Sequence, residues 1–177
     1  MRLLVALTLL LLPGTALADA CGPRLVVTFS EGAPTDRFTL FNKSDPGWAI
    51  TEVEIDLSSS RGRLIFDVTE RGAGLSVYQP YQEASGTAAA SGRSEVTDGD
   101  TVMNLTFSRF QPGEEFGFTI DLDDTAGFSP TIVSSDEIAD GQVRARFTSQ
   151  RGTAEKEGVF EDNRKADTGR LEACFVS

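Results

Sequence analysis

The chain has 177 residues, 27 acidic against 16 basic side chains, a formal charge of -11 and no histidine. The acidity argues against nucleic acid and anionic membrane surfaces as partners. The absence of imidazole excludes His-based triads, His-ligated zinc and imidazole proton relays, which leaves carboxylate chemistry or none.

The N-terminus reads as an export signal. Arg2 supplies a short positive start, residues 3–12 are an almost unbroken apolar run, and Pro13 and Gly14 break it before a stretch of small residues. Cleavage after Ala18 or Ala20 fits the small-x-small rule, so residues 1–20 are expected to be a signal peptide and 21–177 one domain. The run is shorter than the roughly 20 apolar residues a spanning helix needs, and no later segment approaches that length. The expected location is therefore periplasmic or secreted, with no transmembrane segment.

The two cysteines, Cys21 and Cys174, lie at the extremes of this domain. In an oxidising compartment they are expected to pair, which places the first and last strands side by side. Closing so long a loop stabilises by roughly 4–5 kcal/mol in the chain-entropy model. Acylation of Cys21 as a lipoprotein is the alternative, although Ala18, Asp19 and Ala20 match a lipoprotein signal poorly.

Strand patterns then follow one another. Residues 25–29 are β-branched and apolar, and residues 37–41 follow a turn signal at 32–36. Residues 48–57 alternate, but Ile50 and Val53 are out of phase by one, which predicts a bulge near Thr51. Residues 63–68 and 75–78 continue the series. Residues 82–94 are small and polar and read as a surface loop. Residues 101–107 form a strand behind Asp98, Gly99 and Asp100, and residues 116–122 alternate strictly. Residues 142–148 and 153–160 make a hairpin across 150–152, residues 134–140 have room for one helical turn, and residues 171–176 close the chain. Short strands with turns every 8–12 residues define an all-β fold, a single antiparallel β-sandwich of immunoglobulin-like or jelly-roll type. Alternation places Phe29, Phe38, Phe66, Phe107, Phe118 and Phe147 between its sheets.

Three constellations bear on function. Asp121, Asp123 and Asp124 crowd like charges at a strand end, and Asp56 ends another acidic strand. A calcium ion, which takes six to eight oxygen ligands, would relieve that repulsion; Asp98 and Asp100 lie where they could join. The alternative is a solvated strand face. Trp48, Tyr78 and Tyr81 are candidates for glycan stacking, or else cover the core. A carboxylate pair for glycoside hydrolysis has no distinguishing pattern here.

With these residues in view, the chain resembles a family of short exported bacterial proteins labelled "aggregation factor core", after a sponge cell-aggregation protein. The resemblance is carried by residues 31–38, 53–58, 64–68, the Asp98, Gly99, Asp100 turn, and 118–125. It implies a secreted β-sandwich without a catalytic motif, working in calcium-dependent adhesion to a cell-surface or matrix protein or glycan.

Overall fold

A computed structural model describes residues 22–32, 35–74, 78–126, 133–134 and 136–169. The expected signal peptide, Cys21, Cys174, the strand at 171–176 and most of the one at 75–78 lie outside the described residues. Within them the chain forms β1 (Leu25–Ser30), β2 (Asp36–Asn42), β3 (Ala49–Asp56), β4 (Ile65–Phe66), β5 (Gln82–Gly86) and β6 (Ala89–Arg93). It continues with β7 (Val102–Arg109), β8 (Glu115–Ile120), β9 (Leu122–Asp123), β10 (Gln142–Ser149), β11 (Gly152–Val159) and β12 (Lys165–Asp167). Among the described residues there is no α-helix. The helical turn expected at 134–140 is a series of turns instead, with Glu137 N–H donating to Ser134 O at 3.0 Å and Gly141 N–H to Ile138 O at 3.1 Å.

Two five-stranded antiparallel sheets pack face to face, in the orders β12-β1-β2-β8-β5 and β11-β10-β3-β7-β6. A two-stranded ribbon, β4 with β9, sits beside them. The first and last described strands are neighbours, with Val26 opposite Asp167, and Arg24 and Asp167 join their ends in an ion pair. Three neighbouring pairs, β1-β2, β6-β7 and β10-β11, are consecutive in sequence, and the other adjacent pairs join distant segments. The hairpin β10-β11, for example, turns through two residues between Ser149 and Gly152, whose φ of 125° only glycine adopts comfortably.

Alternation sets the core. In β2, Phe38 and Leu40 point inward while Arg37, Thr39 and Phe41 are less buried. All six expected core phenylalanines are buried, and Phe110, Phe116 and Phe160 join them. Phe38 stacks on Phe118 with centroids 5.1 Å apart, and Phe107 meets Phe110 at 4.9 Å and Phe116 at 5.1 Å. Each such side chain contributes about 1.5–3 kcal/mol by leaving water. The bulge lies at Thr51: Arg146 faces Glu52 and Phe147 faces Ile50, leaving Thr51 as the extra residue.

Residues 82–94, expected to be a loop, are instead two edge strands, β5 and β6. They bond to different sheets, β5 to β8 and β6 to β7, so the chain steps across one open side of the sandwich. Nearly all their residues are exposed, so they need no apolar alternation. Backbone ladders hold them, with bulges near Ser85 and between Ala89 and Gly92, helped by Arg37 donating to Ser85 Oγ at 2.8 Å and by Ala90 packing on the core.

The sandwich has two distinct ends. One gathers residues 31–32, 35–36, 57–64, 97–101 and 121–126, tied by bonds such as Leu57 N–H to Thr101 O at 2.8 Å and Thr125 N–H to Gly62 O at 3.1 Å. The other gathers 43–48, 86–88, 110–114 and 149–152, tied by bonds such as Gly113 N–H to Asn42 O at 2.8 Å.

Candidate metal centre

The first of these ends is built on aspartate. Asp36, Asp67, Asp121, Asp123 and Asp124 are all buried there, none more than 6% exposed. Burying ionised carboxylates together is costly unless cations or hydrogen-bond donors surround them.

The ribbon brings three of them together. Pairing of Phe66 with Leu122 and of Ile65 with Asp123 sets Asp67 beside Asp121, and Asp67 N–H donates to Asp121 O at 3.1 Å. Strand alternation then puts Asp67, Asp121 and Asp123 on one face of the ribbon, with Phe66 and Leu122 turned into the core on the other. One carboxylate oxygen from each lies within 4.8 Å of the others. Calcium–oxygen distances of about 2.3–2.6 Å put ligands on opposite sides of the ion about 4.6–5.2 Å apart, so this spacing suits a shared calcium.

Hydrogen-bond supply falls short. Among the described residues, no group hydrogen-bonds the buried Oδ2 atoms of Asp121 and Asp124. Among the described residues no lysine or arginine pairs with Asp36, Asp121 or Asp124. Asp124 Oδ1 accepts from Ala126 N–H at 2.6 Å, closing a turn. Asp36 is the first inward-facing residue of β2; its Oδ1 accepts from Gly32 N–H at 3.2 Å and its Oδ2 from Leu122 N–H at 3.1 Å.

The electrostatic consequence is a pair of raised pKa values. Burial pushes Asp121 up to about 8, with the charges of Asp123, Asp36 and Asp67 adding to the effect. Burial likewise lifts Asp36 to about 7 against the two N–H donors, helped by Glu31 and Asp123. In both cases the site resists holding all its negative charge at once.

The structure sorts the expected site residues. Asp121 and Asp123 belong to the cluster, and Asp124 lies beside it without joining the close triad. The expectation of a solvated face for these residues is corrected. Asp121, Asp123 and Asp124 are buried, and Gln79 lies alongside the ribbon, its N–H donating to Asp67 O at 3.4 Å and its O accepting from Asp121 N–H at 3.1 Å. Asp56 is not part of the site. It ends β3 opposite Gln142 and Val102, half-exposed, and its Oδ1 accepts from Ser58 N–H at 2.9 Å. Asp67 and Asp36 are the members that sequence reasoning missed. The signal for Asp67 was an acid directly after the apolar run Leu64, Ile65, Phe66.

The three aromatic candidates do not form one platform. Trp48 is half-buried at the opposite end, lining a shallow depression with Pro46, Gly47, Ser149, Gln150 and Arg151. Tyr81 immediately precedes β5, packs on Phe118 at 5.2 Å and carries the Arg93 guanidinium over its ring at 4.5 Å; burial raises its pKa to about 12. Tyr78 is exposed.

No protein-family model matches this chain, and no curated protein is significantly similar to it. Among the described residues no helix is long and apolar enough to cross a membrane.

Proposed function

We propose that this is an exported, non-enzymatic β-sandwich protein that holds a calcium ion at its aspartate-rich end and works in adhesion to a cell-surface or matrix partner. The observation that carries the cation reading is the buried Asp67, Asp121, Asp123 triad, in which Asp121 Oδ2 has no hydrogen-bond partner among the described residues. A divalent ion supplies both the missing charge and the missing coordination. Asp124, whose Oδ2 is also unbonded, and Asp36 stand next in line as ligands or as further negative potential.

The depth of the cluster favours binding over catalysis. A glycan-cleaving pair needs carboxylates open to a groove, whereas Asp67, Asp121 and Asp123 are 1%, 6% and 3% exposed. The adhesive role draws on the resemblance to the exported aggregation proteins. Export is read from the leader, and a disulfide between Cys21 and Cys174, both outside the described residues, belongs to the same reading on the ground of an oxidising compartment.

Calorimetric titration of the mature chain with calcium tests the site, and clustering of beads coated with the protein tests the role. Uptake of calcium with bead clustering that chelator reverses is the expected result. Clustering indifferent to chelator removes the calcium-dependent adhesive role. A second reading, glycan binding, is favoured only by Trp48 with Arg151 at the opposite end. It requires quenching of Trp48 emission by oligosaccharide, and an unchanged emission spectrum removes it.

A further inference from the structure

We infer that Asp98 is a positioning residue for the cation site, holding the loop that carries Asp67, and that Gly74 keeps open the space its carboxylate occupies. The inference rests on the calcium reading above and adds residues that lie outside the ligand cluster.

The turn at residues 97–100 grips the chain on both sides of Asp67. Before it, Phe66 N–H donates to Asp100 O at 2.8 Å and Phe66 O accepts from Gly99 N–H at 3.0 Å. After it, Asp98 Oδ1 accepts from Val68 N–H at 2.8 Å and Thr69 N–H at 2.9 Å, while Asp98 Oδ2 accepts from the Thr69 hydroxyl. The turn is itself braced. Asp100 Oδ2 accepts from Thr97 N–H at 2.7 Å and Thr97 Oγ1 at 2.9 Å, and Asp100 N–H donates to Thr97 O at 3.0 Å. Asp67 is therefore flanked by two anchored residues, and its backbone has little freedom.

The loop then folds back over both carboxylates. A Cβ on Gly72 would stand 2.2 Å from Asp98 Oδ2, and one on Gly74 would stand 2.1 Å from Asp67 Cγ and 2.4 Å from each of its oxygens. Neither glycine has a positive φ, so what they provide is room. A larger residue at 74 therefore forces either the Asp67 carboxylate or its own backbone to shift, and either movement disturbs the packing of that carboxylate. Groups that orient a metal-binding carboxylate in this way typically change affinity by about 10–100-fold when removed.

The test is calcium titration of the mature chain by calorimetry, paired with melting in chelator and in calcium. Asp98→Ala is expected to weaken calcium binding by ~10–100-fold and to shrink the calcium-induced rise in Tm. Asp98→Asn, which keeps the Oδ1 acceptor, should fall between Asp98→Ala and the wild type. Gly74→Ala should weaken binding at least as much as Asp98→Ala. Asp56→Asn removes the same charge outside the cluster and should bind like the wild type. If Asp98→Ala does not fold, Asp98→Asn and Thr69→Val carry the comparison. Wild-type affinity in these variants, with only the Tm in chelator lowered, would reduce Asp98 to a structural role and overturn the inference. Equal weakening by Asp56→Asn would also overturn it, because the effect would then be long-range charge. No calcium uptake by the wild type is a separate result, and it sinks the cation reading on which the role of Asp98 depends.

Discussion

Strand β2 carries an inward-facing polar residue at each end, and the two ends treat it in opposite ways. Asn42 is fully buried, yet its Nδ2 donates to Phe110 O at 2.8 Å and Trp48 O at 3.1 Å, and its Oδ1 accepts from Ser44 N–H at 3.1 Å. That neutral amide is satisfied by its own neighbourhood and plugs the sandwich. Asp36 occupies the matching position at the other end, where the charges of Glu31 and Asp123 act on it and the buried Oδ2 atoms of Asp121 and Asp124 have no hydrogen-bond partner among the described residues. A buried polar group with its partners in place explains itself structurally, whereas buried acceptors without partners among the described residues are what the cation proposal accounts for.

The largest expected effect breaks the acidic end. At a calcium concentration about 100 times Kd, binding adds about 2.7 kcal/mol to stability. Asp67→Asn combined with Asp121→Asn should abolish that increment. In chelator and above about pH 8, where Asp121 is ionised, the same pair should melt higher than the wild type, because it removes buried negative charge. Chemical denaturation with and without calcium measures both, and the reversal of sign is the diagnostic result.

Next comes the neutral end. Asn42→Ala removes the side-chain donor from Trp48 O and one of the two donors from Phe110 O, which keeps Ile50 N–H, and should cost about 1–3 kcal/mol. The cost should be the same in calcium and in chelator, as read by the same denaturation curves. A calcium-dependent cost would mean the two ends are coupled.

The pH dependence should separate them again. Asp121 and Asp36 have folded pKa values of about 8 and about 7, above an unfolded value near 4. Between those limits the folded chain holds more protons than the unfolded chain, so stability in chelator should fall as pH rises from about 4 to about 8. Calcium displaces those protons, so its affinity should rise over the same interval. Melting curves across pH, with and without calcium, check this.

The smallest effect is expected at Trp48, the single tryptophan. It sits at the neutral end, so calcium should leave its emission maximum almost unmoved. A large shift would place the ion, or a conformational change, at the wrong end.

Much of the fold was legible from residue order because inward positions carry apolar side chains. Strict alternation in β8 and β10, the slipped phase at Thr51 and the Gly152 turn each map onto the structure. Strands β5 and β6 were not legible. An exposed edge strand is held by backbone bonds, which leave no apolar trace in Gln82 to Arg93. The acidic site was half legible. Asp121 and Asp123 stand out as a crowded pair, but Asp67 joins them only through the β4-β9 pairing between distant segments. Asp36 looked like a turn residue because its inward register depends on where β2 begins. Asp56 and Asp98 carry the same charge as the cluster members, and only the three-dimensional arrangement assigns one to a solvent-facing strand end and the other to a loop clasp.

The most direct test is the melting temperature of the mature protein in chelator and in saturating calcium. Stabilisation of about 2.7 kcal/mol in a chain of this size corresponds to a rise of about 5–10 °C. A rise of that order, lost in the Asp67→Asn, Asp121→Asn pair, is the expected result. Identical melting in both conditions would contradict the account, because the buried aspartates would then be stable without the ion.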